Sequence, residues 1–161
     1  MTTEELRKSI LAAPKNGFTR VNAEQRAEIE AYNKRYMAFM DEAKTEREAT
    51  DWAIREAEKY GFVPFVPGMA VNPGDKIYYN NRGKAIALAV IGTEPLNKGA
   101  NICAAHVDSP RMDLKPNPLY EDSEIAYFKT HYYGGIKKYQ WPTIPLALHG
   151  VVCRKDGSSV T

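Results

Sequence analysis

His106 and Asp108 are the residues of this sequence whose types and spacing point most directly to chemistry. They lie two positions apart at the end of an apolar run, in NICAAHVDSP at residues 101–110. In an extended backbone, positions i and i+2 face the same way, so both side chains would project together. One imidazole nitrogen can bind a metal ion while a carboxylate accepts a hydrogen bond from the other. The spacing therefore suits a metal site in which His106 is a ligand and Asp108 orients its ring.

A second interpretation of the same pair needs no metal. A histidine and an aspartate alone offer too few ligands to hold zinc, so the pair is also typical of a partly buried histidine bonded to a neighbouring carboxylate. The other two histidines fit structural roles: His131 as a loop residue packed among tyrosines, and His149 as part of a strand in PLALHGVV. Asp113 and Lys115 alternate with apolar residues, as in a half-exposed strand. None of these four is expected to act in catalysis.

The elements that must position the pair change character at Gly61. Before it, helix-start signals recur at Thr2 with Glu5, at Asn22 with Gln25, and over residues 45–48, each followed by apolar residues at helical spacing. The first helix should run to about Ala13, and the region 22–60 should form two helices or one helix kinked near residues 41–45. Gly61 is suited to ending the last helix.

Short β-rich runs follow at residues 62–66, 76–79, 84–91 and 100–105. Residues 80–83, Asn-Asn-Arg-Gly, have hairpin chemistry, because Asn and Gly adopt positive φ at low cost. The pattern predicts an α/β fold with a mixed sheet, in which His106 ends an interior strand. Open α/β sheets place their ligands at that carboxyl edge.

Length, charge and cysteine content exclude several classes of function. The chain has 161 residues, a net charge of +2 and no dense basic run, so nucleic acid is not an expected partner. No apolar stretch approaches the roughly 18 residues that a membrane span needs, and the N-terminus lacks a signal-peptide core. The two cysteines, Cys103 and Cys153, form no zinc-binding or disulfide pattern, which favours buried thiols and a cytoplasmic location.

Two long blocks of sequence carry a resemblance to a known family. NICAAHVDSPRMDLKPNPLYE and THYYGGIKKYQWPTIPLALHGVV, together with KTERE and GDKIYYNNRGKAIALAVIG, resemble the M18 family of zinc aminopeptidases, and in particular its bacterial branch. Eukaryotic members carry a Trp-x-Asp-Arg element where this chain has Trp-Pro-Thr-Ile at residues 141–144. Because this chain lacks that element, the preference of the eukaryotic members for acidic N-terminal residues is not carried over to it.

The resemblance implies the function and the site. A family member is a zinc-peptidase (hydrolase-like) enzyme that removes N-terminal residues from peptides with two zinc ions, and it assembles as a homo-oligomer. His106 falls on the first zinc ligand and Asp108 on the orienting acid, while the remaining ligands lie downstream in the family. The chain is therefore expected to be an N-terminal portion, truncated at Thr161 and inactive alone.

The resemblance also implies a division of the chain near Arg111. Residues 1–111 would form the first part of the catalytic domain, and residues 112–161 would begin an inserted β-rich domain that builds oligomer contacts and covers the active site. The alternative is a non-enzymatic remnant or interaction module with the same fold. A nucleotide-binding domain is set aside, because GTEPLNKG at residues 92–99 lacks the Gly-Lys-Ser/Thr order at a helix start.

Overall fold

The computed structural model describes residues 2–12 and 14–161. The chain separates into two compact units, Met1–Ala38 and Phe39–Thr161, and the boundary falls inside the second helix. The helices are α1 (Thr3–Ile10), α2 (Ala23–Glu42) and α3 (Glu46–Lys59). The strands are β1 (Val63–Pro64), β2 (Lys76–Asn81), β3 (Ala85–Val90), β4 (Arg111–Asp122), β5 (Ile125–Tyr133), β6 (Val152–Cys153) and β7 (Ser159–Val160).

In the first unit, the predicted capping residues define where both helices begin. The Thr2 hydroxyl accepts a hydrogen bond from the Glu5 backbone, and the Glu5 carboxylate accepts one from the Thr2 backbone. Asn22 and Gln25 make the same reciprocal pair before α2. The predicted end of α1 near Ala13 falls outside the described residues, and the helix ends at Ile10.

In the second unit, α2 and α3 are separate helices, which confirms the first of the two predicted alternatives. Thr45 and Glu48 form a complete capping box at the start of α3. The Phe39 ring, near the end of α2, packs edge-to-face on Trp52 with ring centroids 4.8 Å apart. At the other end of α3, Gly61 has φ +81 and its N–H donates to the Glu58 carbonyl, as predicted for a helix terminus.

A mixed three-stranded sheet follows α3. β1 pairs with β2 in parallel, and β2 pairs with β3 in antiparallel through the predicted turn. Arg82 and Gly83 both have positive φ in that turn, which is the conformation of a type I′ hairpin. Tyr78 is buried between this sheet and α3, and its hydroxyl donates to the Glu58 carboxylate at 2.9 Å. This hydrogen bond, with burial, raises the pKa of Tyr78.

The segment that begins with β4 is built from hairpins instead of layers. β4 and β5 pair in antiparallel, and their register shifts between Leu114 and Leu119. Pro116 and Pro118 lie in this interruption. Since proline has no N–H to donate to the neighbouring strand, these two residues account for the break in the pairing. β6 and β7 form a second, two-residue pairing. Every residue of β5 is exposed, so this hairpin has no buried face among the described residues.

The buried core is small and lies around α3. Among residues 2–12 and 14–161, the buried apolar residues are Ala43, Ala49, Ala57 and Tyr78, and Thr50 is buried with no partner for its hydroxyl. No helix in the described part of the chain is long and apolar enough to cross a membrane.

The prediction of buried thiols is wrong, since Cys103 and Cys153 are both exposed. Cys103 lies in a segment without regular structure, and Cys153 lies in the two-residue strand β6. Apolar neighbours in sequence suggested burial, but burial also needs a second element packed over the segment.

Candidate functional site

The segment that carries His106 and Asp108 has no regular secondary structure. The structure assigns no strand to residues 100–110, so the prediction of a strand at residues 100–105 ending at His106 is wrong. A strand needs a hydrogen-bonded neighbour, and within the described ranges no segment pairs with this one. Ile102 is accordingly 88% exposed, although its apolar neighbours in sequence suggested an interior position.

The two predicted site residues nevertheless lie together. His106 Nε2 lies 2.9 Å from Asp108 Oδ1, and His106 Nδ1 lies 2.9 Å from the Asp108 backbone oxygen. Both partner atoms are acceptors, so both contacts are hydrogen bonds only when both ring nitrogens carry a proton. A metal ion at either nitrogen would replace one contact and leave the other to orient the ring. The His106 side chain is 74% exposed, which leaves room for a further ligand.

Arg111 continues the chain of contacts from Asp108. Its Nη1 donates to Asp108 Oδ2 at 3.1 Å, and its Nε donates to Asp113 Oδ1 at 2.7 Å. The guanidinium carbon lies 4.5 Å from the centre of the Tyr133 ring, a cation–π distance. The hydrogen bond to Asp113, followed by that to Asp108, raises the pKa of Arg111 despite partial burial. Asp113, predicted as an ordinary strand residue, therefore belongs to this cluster.

A cleft of about 750 Å³ lies in the second unit beside this cluster. Its polar lining includes Glu46, Glu48, Arg111 and His149, and its apolar lining includes Leu146. The cleft thus brings together the start of α3, the residues that follow the His106 segment, and residues 145–151. Polar groups that converge within a largely apolar cavity are typical of a ligand site.

Glu48 and His149 form a second histidine–carboxylate pair in this cleft. His149 Nδ1 lies 2.8 Å from Glu48 Oε1. Because a carboxylate only accepts, Nδ1 is the donor, and Nε2 has no hydrogen-bond partner among residues 2–12 and 14–161. Burial alone would raise the pKa of Glu48, but the hydrogen bonds from His149 and Thr45 and the charge of His149 hold it below its ordinary value.

Sequence reasoning missed this second pair. The capping box identifies Glu48, but the sequence predicts His149 as a structural strand residue, and no strand covers residues 145–150. The two residues are 101 positions apart, and no local signal links them. The expected loop position of His131 is wrong, since this residue lies in β5 and stacks on Tyr132 with ring centroids 5.5 Å apart. His131 has no described contact with either pair.

The fit of these residues to zinc is partial. Imidazole nitrogen and carboxylate oxygen are both zinc donors, so the residue types of His106 and Asp108 suit the metal. However, the described residues contain no group of three or more His, Cys, Asp or Glu side chains placed to hold a metal ion. This chain therefore offers one ligand and its support rather than a closed site.

Comparison with known proteins identifies the class. The family model described as Aminopeptidase I zinc metalloprotease (M18) matches residues 39–161, which are the residues of the second compact unit. The matched family is thus a class of peptidases. Because the match covers more than half of the chain, the chain belongs to the M18 peptidase family.

Individual relatives agree with this family. The chain is 48% identical to a probable M18 family aminopeptidase 1 of Clostridium acetobutylicum, over 94% of the chain and 33% of the relative. It is similar to the crystal structure of aminopeptidase I from Borrelia burgdorferi B31, with TM-score 0.85, 43% identity and coverage of 91% and 36%. The M18 aminopeptidase structure from Thermotoga maritima gives TM-score 0.81, 48% identity and coverage of 93% and 32%. The chain spans about a third of the length of these relatives.

Proposed function

We propose that this chain forms part of a zinc-dependent aminopeptidase that removes N-terminal residues from peptides. The observation that carries the proposal is the contact between His106 Nε2 and Asp108 Oδ1 at 2.9 Å, in a chain of the M18 family. His106 would be a ligand to one of two zinc ions, and Asp108 would fix the orientation of its ring. The remaining ligands would come from outside these 161 residues.

The chemistry divides between the metal and the protein. When bound, zinc would polarise a carbonyl group and would bring the pKa of a bound water to about 7. Asp108 would accept a hydrogen bond from one imidazole nitrogen of His106, and a metal ion would take the place of the contact at the other nitrogen. The cleft beside Arg111 is large enough to receive the end of a peptide, and Glu48 and His149 provide polar groups in its wall.

The first experiment measures hydrolysis and metal content of the purified 161-residue chain. One histidine cannot close a site that normally takes three or four protein ligands, so we expect no aminopeptidase activity and only weak zinc binding. Strong turnover that a chelator abolishes would overturn the proposal that this chain supplies only part of the site.

The second experiment uses the whole protein that contains this chain. His106→Ala should abolish hydrolysis and reduce zinc content, whereas Asp108→Asn should lower zinc affinity or turnover by roughly 10- to 100-fold. His131→Ala is the matched control, because His131 stacks on Tyr132 and has no described contact with Asp108. If His106→Ala left both zinc content and turnover unchanged, His106 would not be a ligand.

Exposed apolar surface supports the proposal of a homo-oligomer built through residues 112–161. The β4–β5 hairpin contributes Leu119, Ile125 and Phe128 at 66%, 53% and 56% exposure. A two-stranded hairpin is marginal on its own, so a covering surface would stabilise it. Sedimentation of the whole protein with and without residues 115–131 tests this proposal.

The same exposed hairpin favours the second candidate function, a non-enzymatic interaction module. This candidate gains support if the whole protein lacks both zinc and hydrolytic activity while it still assembles. The domain boundary near Arg111 and the cytoplasmic location stay predictions.

A further inference from the structure

We propose that Arg111 is a positioning residue that fixes the Asp108 carboxylate against His106 and connects this pair to the β4–β5 hairpin. The proposal rests on the proposed function only where it treats His106 as a zinc ligand. The contacts of Arg111 themselves are independent of any metal.

The first step concerns what holds Asp108. Its two carboxylate oxygens have different partners: Oδ1 faces His106 Nε2 at 2.9 Å, and Oδ2 accepts from Arg111 Nη1 at 3.1 Å. Residues 100–110 have no regular structure, so no backbone ladder fixes this side chain. Within residues 2–12 and 14–161, no other side chain hydrogen-bonds the Asp108 carboxylate. Arg111 is therefore the group that restricts its rotation.

The second step concerns what holds Arg111. Asp113 binds its Nε at 2.7 Å, and the Tyr133 ring lies 4.5 Å from its guanidinium carbon. Arg111 and Tyr133 are also paired residues in the register of β4 and β5. The guanidinium is thus anchored to both strands of the hairpin, with its side chain only 29% exposed. A planar group held from two sides is well suited to fixing a third partner.

The consequence is that the hairpin and the His106–Asp108 pair form one connected unit. Asp108 lies three residues before Arg111, and the Arg111 fork spans Asp108 and Asp113 at once. A lysine could keep one ion pair, but it cannot bind two carboxylates through separate nitrogens while it stacks on a ring. Loss of the guanidinium would therefore release Asp108 from its orientation toward His106.

The test uses ¹⁵N-detected NMR of the histidine side chains in the 161-residue chain at a fixed pH. The chain has three histidines, so each signal is assigned by single substitution. Asp108→Asn provides the reference position of the His106 signals when the carboxylate is lost. We expect Arg111→Met to move the His106 signals toward that reference, Arg111→Lys to move them part of the way, and the His131 and His149 signals to stay in place.

Lys138→Met is the matched control. Lys138 lies over the Tyr132 ring at 4.2 Å, so this change also removes a cation stacked on a tyrosine of β5, but Lys138 has no described contact with Asp108. It should leave the His106 signals unchanged. If Arg111→Met and Arg111→Lys both fold, as judged by circular dichroism, and both retain the wild-type His106 signals, the positioning role is wrong.

A zinc titration followed on the same signals separates this proposal from the proposed function. Arg111→Met should weaken the zinc-dependent shift of His106 by roughly 10- to 100-fold in affinity, as expected for loss of an orienting partner. If wild-type His106 does not respond to zinc in this isolated chain, the role of His106 as a ligand is decided by His106→Ala in the whole protein, and the metal-free comparison decides the role of Arg111. An unchanged zinc affinity in a variant whose His106 signals have moved would overturn the link from Arg111 to metal binding.

Discussion

Replacing Glu48 by alanine should destabilise the second unit by more than a typical surface substitution. Glu48 Oε2 accepts from the Thr45 backbone at 2.9 Å and the Lys44 backbone at 3.1 Å, and Oε1 contacts His149 Nδ1 at 2.8 Å. Loss of a helix-capping interaction costs about 1 kcal/mol. The His149 contact, which is partly exposed, contributes about 0.5 kcal/mol after discounting for solvent. We therefore expect Glu48→Ala to lower the free energy of unfolding by about 1.5 kcal/mol.

The control for this measurement is Glu46→Ala. Glu46 lies in the same first turn of α3 and has the same charge, but its described ion pair is a single 3.9 Å contact with Lys84. Urea unfolding followed by circular dichroism gives both free energies. Equal losses for the two variants would refute the reasoning. A double-mutant cycle of Glu48→Ala with His149→Ala isolates the pair, and a coupling energy near zero would mean that the contact contributes nothing.

The same side chain should alter the pH dependence of stability. The pKa of Glu48 is lower in the folded chain than its ordinary value of 4.5. The ionised carboxylate therefore stabilises the fold in full above pH 4.5, and this contribution disappears as the pH falls below that value through the lower folded pKa. Consequently, the difference in stability between wild type and Glu48→Gln should shrink as the pH falls below 4.5.

Three further predictions concern other parts of the fold. Gly134→Ala should lower the free energy of unfolding in urea by about 1 kcal/mol or more, because Gly134 has φ +78 and an added Cβ would lie 3.3 Å from Pro110. Gly135→Ala is the control and should have a smaller effect, because a Cβ at that position would meet nothing within 4 Å. Tyr78→Phe should lower the free energy of unfolding by about 1 kcal/mol, because it removes the hydrogen bond from the Tyr78 hydroxyl to Glu58. In wild type, a spectrophotometric titration should show Tyr78 ionising at a pH above the ordinary tyrosine value. Both cysteines should react with a thiol reagent without denaturant, since both are exposed, and protection of either would contradict the structure.

The features that the sequence predicted correctly are local ones. Capping at Thr45 with Glu48, the turn at residues 80–83 and the end of α3 at Gly61 each depend on residues a few positions apart. Their hydrogen-bond partners lie within the same stretch of chain, so propensity and spacing suffice. The proximity of His106 and Asp108 has the same origin, because two residues two positions apart can touch in several backbone conformations.

The features that failed depend on distant partners. An apolar run such as residues 100–105 becomes a strand only when a neighbour pairs with it, and the sequence pattern does not contain that neighbour. His149 looks structural in the sequence because nothing near it is acidic until the chain folds back onto α3. Arg111 looks like a boundary residue, since its importance depends on Tyr133, which lies on the opposite strand. Nonlocal contacts of this kind are fixed by tertiary structure and carry no local signal.

The contact between Glu48 and His149 also bears on how the chain folds during synthesis. The capping box of α3 is complete once Glu48 and its immediate neighbours have been made, so that end of the helix can form early. His149 follows 101 residues later, which at about 5–20 residues per second corresponds to a delay of roughly 5–20 s. During that interval Glu48 Oε1 is open to water. The wall of the cleft formed by residues 145–151 is therefore added long after the residues that cap α3 have been made.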